Sequence, residues 1–533
     1  MLQKQNRILI VILTLAFMIW GSIFIYKTSF IAIDGNRHFS LIDDAMISMR
    51  YAWNFSHGLG LVWNAGERVE GYSNFLMTLL MSLATWVLSK ENAVLAIQIF
   101  GILTIIFNAF LVYKIAELIF EKIENKKAIA LLSFAGVLFY YPLAYWTIFG
   151  METGLTTLFV LLGVYWAVYW QKHNKRWQLN LVGLTFGLAF LTRNDSLVFA
   201  VLTLAYLFYE ELRTSRENGR FFQLLITTSI FFSFVLGQTL FRYLYYGYPL
   251  PNTYYLKVSK VPMSVRINDG FLYVLQIIKY SIVPLIFVFA SSILKPQKEK
   301  WFILSLLFFS LAYQVWTGGD VFWFWRFSVP IFPLVIMLFS ASVINAVTTA
   351  IKRVDKISFR LEALLLLSFI VVIIAPYWQE ITFRKPILYS EQNKHNMDVV
   401  IAINKLTKDD ASIGVYWAGL IPYYTDRYTI DFLGKSDPYI AHTYPHLPSK
   451  ITWFKTITMP GHNKYDLAYS IKKLQPDYIQ RFYWGETNIR KWAIQRYQRV
   501  EYRSEGGVIT IILKNDSPNL NLQNGVVLPW GSK

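Results

Sequence analysis

Long apolar runs separated by short charged gaps dominate the first 377 residues of the chain. An α-helix needs roughly 20 apolar residues to cross a bilayer. The pattern predicts about eleven membrane-spanning helices, at approximately 7–26, 93–119, 128–141, 154–171, 178–192, 196–210, 221–242, 270–291, 300–315, 327–349 and 361–377. The predicted fold class is therefore a polytopic α-helical membrane protein.

The apolar run at 75–88 is short for a span, and its interpretation sets the topology. If it crossed, the basic loop at 122–127 would lie outside. As an interfacial or re-entrant helix, it leaves this loop inside, and the later basic loops then obey the positive-inside rule. Lys4 and Arg7 before the first run place the N-terminus in the cytoplasm, and an odd number of spans places the C-terminus outside.

The pattern changes at about residue 378. Polar or helical segments there alternate with short strand-like runs, namely ASIGVYW, RYTIDFL, DYIQRFYW and VITIILK. This alternation is typical of a soluble α/β domain. We therefore expect a transmembrane domain at 1–377, with a first external loop at 27–92, and a periplasmic or extracytoplasmic α/β domain at 378–533.

Composition agrees with a membrane protein, since 55% of residues are hydrophobic and 17% aromatic, with a mean hydropathy of +0.37. Most of the +18 formal charge lies in gaps between apolar runs, which indicates membrane topology and no nucleic-acid partner. The absence of cysteine excludes disulfides, thiolate metal sites and thiol nucleophiles.

The most unusual stretch is the first external loop, where Asp43 and Asp44 open a predicted helix at 42–55. Helical spacing places Asp43 and Arg50 on one face, two turns apart. The sharper interpretation is a catalytic loop, and the simpler one is a helix cap with a surface ion pair. In the catalytic case, either one carboxyl has a raised pKa and transfers protons, or Mg²⁺ or Ca²⁺ lies between Asp43 and Asp44.

Other candidate residues lie in outer segments that mix glycine, proline, aromatics and isolated charges. They are Tyr51 and Glu70 in the first loop, Glu152 in GMET, Arg193 and Asp195 in LTRND, Asn252, Tyr254 and Lys257 in LPNTYYLK, Asp320 and Arg326 in GGDVFWFWRF, and His442 and His462 in the α/β domain. Ionisable groups at such positions suit a site. The alternatives are an interhelical ion pair, an interfacial tyrosine belt with a snorkelling lysine, and ordinary histidines.

The segment LIDDAMISMRYAWNFSHGLGLVWNAGERVEGYSN resembles the first external loop of GT-C superfamily glycosyltransferases, most closely that of bacterial membrane arabinofuranosyltransferases. Further segments resemble that group in the same order, namely GMET, LTRND, YYGYPLPNTYY, GGDVFWFWRF, FLGKSDPYIAH and PGHNKYD. Two positions depart from the family pattern: Asn194 stands where relatives often have proline, and Asn463 where they have glutamate.

The resemblance implies transfer of a sugar, arabinofuranose being our first expectation, from a polyprenyl-phosphate donor. The acceptor would be a cell-envelope polysaccharide, lipopolysaccharide or pilin-type protein on the outer side of a bacterial inner membrane. Asp43 would be the catalytic base with Asp44 as its partner. Donor phosphate would contact Arg50, Lys257, Arg326, Arg193, His442 and His462, and the sugar or acceptor would contact Tyr51, Glu70, Glu152, Asp195, Asn252, Tyr254 and Asp320.

Two other classes of protein compete with this interpretation. A transporter or flippase of lipid-linked saccharides would share the spans, but such proteins commonly show internal repeats, which this sequence lacks. A structural assembly factor that had lost activity would have a degraded acid pair, whereas Asp43 and Asp44 are both present.

Overall fold

The computed structural model describes residues 2–214, 218–353, 368–369, 371–482 and 487–531. The α-helices described up to residue 353 are α1 Leu2–Thr28, α2 Asp43–Ser56, α3 Phe75–Val87, α4 Lys90–Ile119, α5 Lys126–Leu138, α6 Tyr141–Ile148, α7 Thr153–His173, α8 Arg176–Thr192, α9 Leu197–Thr214, α10 Asn218–Tyr246, α11 Asn252–Lys257, α12 Met263–Leu294, α13 Lys298–Thr317 and α14 Phe332–Arg353. Two short strands, β1 Phe30–Ile31 and β2 Arg37–His38, form a hairpin in the first external loop.

Within the described residues, six helices are long and apolar enough to cross a membrane: α1, α4, α7, α10, α12 and α14. The consecutive helices α5 and α6 together could form a seventh span, bent by 48°. These helices confirm the multi-span class. The predicted spans at 178–192, 196–210 and 300–315 coincide with α8, α9 and α13, which fall outside this group. The predicted span at 361–377 lies partly outside the described residues, at 361–367 and 370. The count of about eleven therefore stays a prediction.

The first external loop is built on two short helices that pack against each other, α2 and α3. Asp43 and Asp44 occupy the first turn of α2, where carboxylates favour the positive end of the helix dipole. Helix α3 has 13 residues, and at about 1.5 Å per residue it is shorter than a bilayer core of roughly 30 Å. Its length agrees with the interpretation of 75–88 as a helix that does not cross.

The C-terminal part contains a six-stranded mixed sheet, which confirms the predicted α/β class. Its helices are α15 Trp378–Ile381, α16 Ser390–Leu406, α17 Leu420–Thr425, α18 Pro438–Ala441 and α19 Thr487–Ile494, with a π-helix at Ala468–Lys473. Its strands are β3 Ser412–Val415, β4 Tyr428–Asp431, β5 Tyr478–Ile479, β6 Tyr497–Ser504, β7 Gly507–Lys514 and β8 Gly525–Leu528. The strand order is β4-β3-β5-β7-β6-β8, in which β3 runs parallel to β4 and β5 and the other pairs are antiparallel.

The C-terminal part is seated directly on the first external loop. Helix α17 packs against α2, and Asn393 of α16 donates hydrogen bonds to Ser40 Oγ at 2.9 Å and to the Leu41 carbonyl at 3.0 Å. One hydrophobic core runs from the membrane helices through this loop into the sheet, from Phe17 to Leu513. The acid pair consequently lies between the two parts of the molecule.

Candidate active site

Asp43 is buried where α2 meets the first turn of α17. Its carboxylate accepts hydrogen bonds from the backbone N–H of Gly419 at 3.2 Å and of Leu420 at 3.0 Å. A Cβ on Gly419 would lie 1.9 Å from the Asp43 carbonyl oxygen, so only glycine allows this approach. Burial raises the pKa of Asp43 to about 6, against the opposing effect of the Leu420 amide. Asp43 can therefore exchange a proton near neutral pH.

Asp44 contacts a group of cations. Its Oδ1 lies 2.5 Å from Lys435 Nζ, and its Oδ2 lies 2.9 Å from Arg326 Nη1. Although burial favours the neutral acid, Lys435 and Arg326 outweigh it and hold the pKa of Asp44 well below its usual range. The adjacent carboxyl groups thus have pKa values displaced in opposite directions, an arrangement that separates the role of proton acceptor from that of fixed charge.

Arg326 links Asp44 to a second carboxylate, Asp320. Arg326 Nε lies 2.7 Å from Asp320 Oδ2, and Lys257 Nζ lies 3.7 Å from Asp320 Oδ1. The chain enters Arg326 through Phe324 and Trp325, both with positive φ, and this tight turn directs the guanidinium back towards Asp44. We call Asp44, Asp320, Lys257, Arg326 and Lys435 the ion-pair cluster.

A second group of charges lies beside the ion-pair cluster. Arg193 Nη2 is 2.9 Å from Asp195 Oδ2, and Arg193 also forms an ion pair with buried Glu152. The ring of Phe327 joins the two groups, because its centroid lies 4.1 Å from the guanidinium carbon of Arg193, 4.7 Å from that of Arg326 and 5.0 Å from Lys257 Nζ. Cation–π attraction offsets part of the repulsion among these cations. The structure thus brings candidates from five separate segments into one region.

Arg50, a predicted contact of the donor phosphate, lies outside the ion-pair cluster. As helical spacing predicts, Arg50 and Asp43 share a face of α2, but that face is covered by the C-terminal part. Arg50 Nη1 lies 2.7 Å from Asp426 at the end of α17, and its other nitrogens donate to the carbonyls of Trp63 at 3.1 Å and Arg427 at 3.3 Å. Arg50 therefore joins the two parts of the molecule.

Tyr51 and Glu70 also serve the framework of the first loop rather than the cluster. The Tyr51 hydroxyl donates to the Val69 carbonyl at 2.7 Å and accepts from the Gly71 amide at 2.8 Å. Glu70 forms a buried ion pair with Arg242 of α10 at 2.8 Å. Their predicted contact with sugar is not supported by these positions.

Three further candidates lie at the junction between α11 and the C-terminal part. Asn252 donates to the carbonyls of Gly434 at 2.9 Å and Lys435 at 3.0 Å, so it holds a loop of the cluster. His442 Nδ1 lies 2.7 Å from the Pro438 carbonyl oxygen, and its ring stacks on Tyr255. The Tyr254 ring packs edge-on against Tyr255. His442 and Tyr254 are therefore away from the ion-pair cluster.

His462 lies beside the cluster but as a neutral ring. Burial, together with the nearby Lys435 and Lys257 ammonium groups, lowers the pKa of His462 to about 4. A Cβ on the preceding residue, Gly461, would lie 3.0 Å from Lys257 Cε. His462 can thus offer a hydrogen bond, whereas the positive charge comes from the lysines and arginines.

Sequence reasoning missed Lys435. The segment FLGKSDPYIAH drew attention to its histidine, but its lysine is the residue that reaches Asp44. A lysine between glycine and serine, directly after a strand, was the available signal.

The acid pair fits a divalent cation poorly. The Asp43 oxygens accept from backbone amides, and both oxygens of Asp44 are paired with cations. Throughout the described ranges, no group of three or more His, Cys, Asp or Glu side chains could hold a metal ion. The carboxyl groups of the acid pair are therefore satisfied by donors of the chain itself.

Known proteins share both the fold and part of the sequence pattern. A model described as dolichyl-phosphate-mannose-protein mannosyltransferase matches residues 72–236, and one described as a domain of unknown function (DUF8728) matches residues 380–513. Comparison with curated proteins found no match.

Among solved structures, apo ArnT from Cupriavidus metallidurans superposes with a TM-score of 0.59 at 11% identity, covering 96% of this chain and 98% of that chain. ArnT bound to undecaprenyl phosphate gives a TM-score of 0.50 at 11% identity, covering 79% and 85%. The oligosaccharyltransferase AglB from Archaeoglobus fulgidus, in complex with an inhibitory peptide and a dolichol-phosphate, gives 0.54 at 10% identity, covering 98% and 76%. The chain is a polytopic α-helical membrane protein that shares the fold of these solved structures, as the sequence resemblance to the GT-C superfamily predicts.

Proposed function

We propose that the chain is a membrane glycosyltransferase that moves a sugar, arabinofuranose in the first instance, from a polyprenyl-phosphate donor to a hydroxyl group of a cell-envelope glycan or glycoprotein. The observation that carries the proposal is the pairing of Asp43, whose pKa is about 6, with a cluster of cations around Asp44. Solved GT-C proteins bound to undecaprenyl phosphate and to a dolichol-phosphate support the donor class. The reaction takes place on the outer side of a bacterial inner membrane.

The roles of the side chains follow from their charges. Asp43 accepts the proton of the acceptor hydroxyl as its oxygen forms a bond to the anomeric carbon. The bond from that carbon to the phosphate oxygen breaks, and the lipid phosphate leaves with the electron pair. Lys257 and Arg326 stabilise this leaving group, because they are the cations held over the site by Asp320 and Asp44. Glu152 and Asp195 orient hydroxyl groups of the sugar or acceptor.

The test is transfer by the purified full chain from synthetic polyprenyl-phosphate arabinofuranose to an envelope glycan. Asp43→Asn is expected to lower kcat by about 10²- to 10⁴-fold, the contribution of a general base. Asp34→Asn is the control, since Asp34 is an exposed carboxylate of the same loop that pairs with His38. Full activity of Asp43→Asn would contradict the assigned base. Transfer of another sugar but not of arabinofuranose would contradict the proposed identity of the donor sugar. No transfer from any polyprenyl-phosphate sugar would contradict the proposed enzyme class.

A further inference from the structure

Lys435 reaches the ion-pair cluster from a tightly folded loop of the C-terminal part. The loop follows β4, whose last residue, Asp431, accepts hydrogen bonds from the backbone amides of Leu433 at 2.9 Å and Ser436 at 2.8 Å. Gly434 has a φ of +74°, a conformation that favours glycine. The loop therefore has a fixed shape in which the Lys435 side chain projects onto Asp44.

The position of this loop over the membrane part is set by hydrogen bonds in both directions. Asn252 of α11 donates to the carbonyls of Gly434 and Lys435. In return, Lys464 of the C-terminal part donates to the carbonyls of Tyr255 at 2.8 Å and Ser259 at 2.8 Å. Hydrogen bonds in both directions therefore join the segment around α11 to the C-terminal part. One of them connects Asn252 directly to Lys435, the residue that contacts Asp44.

The cationic side chains of the ion-pair cluster have more N–H donors than its two carboxylates accept from. Three cations, Lys257, Arg326 and Lys435, share two carboxylates, Asp44 and Asp320. In the part of the chain that the structure describes, Lys257 Nζ has no hydrogen-bond acceptor, since its ion-pair partner Asp320 is 3.7 Å away. An ammonium group largely withdrawn from water without acceptors is costly, and a bound anion would supply them.

The neighbouring acids do not supply these acceptors. Glu152 and Asp195 are paired with Arg193. Asp43 and Asp431 accept from backbone amides. The spare donors are therefore those of Lys257 and Lys435, which approach the same region from opposite parts of the molecule.

We propose that Lys435, a residue of the C-terminal part, binds the donor phosphate together with Lys257, and that Asn252 is the positioning residue that holds Lys435 in place. This inference rests on the proposed function and adds to it that the donor site is complete only when the C-terminal part is docked. A phosphate diester carries one negative charge and two free oxygens, which matches two ammonium groups meeting from opposite sides.

The probe is undecaprenyl phosphate, whose binding to the full-length protein in lipid nanodiscs is measured in the absence of any sugar. Lys435→Gln is expected to weaken binding by about 10- to 100-fold, the range for a hydrogen bond to a charged group. Lys435→Arg keeps the positive charge in a different shape and is expected to bind more tightly than Lys435→Gln. Lys450→Gln, which alters an exposed lysine of the same part of the chain, is the matched control and is expected to bind unchanged.

Asn252 is tested by a double-mutant cycle. Asn252→Ala is expected to weaken probe binding and to raise KM for the lipid donor more than it lowers kcat. If it acts through Lys435, Lys435→Gln combined with Asn252→Ala binds no more weakly than Lys435→Gln alone. Additive losses would show that Asn252 acts independently and would overturn its positioning role.

The outcomes separate this inference from the proposed function. Wild-type protein that binds no undecaprenyl phosphate would overturn the donor class itself. Wild-type binding that Lys435→Gln leaves unchanged would overturn the role of Lys435 while the proposed function stands. Should Lys435→Gln fail to fold, Lys435→Met carries the test, because it keeps an unbranched side chain and removes the charge. Unchanged binding by that folded variant would overturn the role of Lys435.

Discussion

The Nζ atom of Lys435 lies 2.5 Å from Oδ1 of Asp44, although 391 positions separate the two residues in the chain. This contact gives Asp44 a different set of partners from those of Asp43. Asp44 is fixed by cations, whereas the carboxylate of Asp43 is held by the backbone amides at the start of α17. Two adjacent aspartates therefore have different environments.

The first prediction concerns pH. Because Asp43 must be deprotonated to accept a proton and its pKa is raised to about 6, kcat/KM should fall as the pH drops below 6, by about tenfold per pH unit. Asp44 stays ionised throughout this range, since its pKa is held low. The measurement is the initial rate of transfer between about pH 4.5 and 8.

A control for that profile is Asp437→Asn. Burial also raises the pKa of Asp437 to about 6, but its carboxylate caps α18 by accepting from the Ile440 amide. Asparagine is an equally good cap, so this variant should keep the inflection near pH 6. A profile that loses its inflection in Asp437→Asn would contradict the assignment to Asp43.

The second prediction concerns Arg50, which joins α2 to the end of α17. Arg50→Gln should lower the free energy of unfolding by about 1–3 kcal/mol, because it removes a charged hydrogen bond to Asp426 and leaves buried carbonyls with fewer donors. The affinity for undecaprenyl phosphate should stay unchanged, since Arg50 lies outside the ion-pair cluster. Thermal unfolding measures the stability, and binding of undecaprenyl phosphate measures the affinity. A loss of that affinity in a fully folded variant would show that Arg50 contributes to the phosphate site.

The third prediction concerns the close approach at Gly419. Gly419→Ala places a Cβ 1.9 Å from the Asp43 carbonyl oxygen, so α17 must move away and the Asp43 carboxylate loses its amide donors. We expect transfer to fall at least about tenfold, the effect of one lost hydrogen bond near the reacting group. Gly237→Ala is the matched control, because the added Cβ in α10 meets no atom within 4 Å beyond its chain neighbours and the adjacent backbone of its own helix. Equal activity of the two alanine variants would show that this contact is unimportant.

The fourth prediction concerns metal ions. Since both carboxylates of the acid pair already have donors from the chain, treatment with EDTA should leave the transfer rate within about twofold of its starting value. The measurement is the rate before and after chelation, and again after addition of Mg²⁺ or Ca²⁺. A loss that either ion restores would show that a cation binds at Asp43 and Asp44 in place of their observed partners.

Much of the site could be predicted because the spans return the chain repeatedly to the same side of the bundle. Loops at one end of a helical bundle lie close together, so Glu152, Arg193, Lys257, Asp320 and Arg326 could be expected to meet even though their exact pairs could not. Likewise, short β-rich runs revealed four strands of the sheet.

The rest depended on how the C-terminal part docks. Helical spacing placed Asp43 and Arg50 on one face but could not show that α17 covers that face. Lys435 lies in a loop whose direction depends on the positive φ of Gly434 and on the hydrogen bond from Asn252 to the Lys435 carbonyl. That hydrogen bond joins two segments that are far apart in the sequence. The strands β6 and β8 were missed since their sequences carry charges or lie in a polar tail, and pairing with β7 decides their conformation.

The contact between Asp43 and Gly419 has a consequence for biosynthesis. A ribosome completes α1 to α14 before it makes the amides that hold Asp43, which come 376 positions after that residue. Because early domains fold while later ones are still being synthesised, the growing protein passes through a stage with a formed bundle and no assembled acid pair. Premature termination is therefore expected to leave fragments that lack the proposed active site, so that only the finished molecule would carry out the proposed reaction.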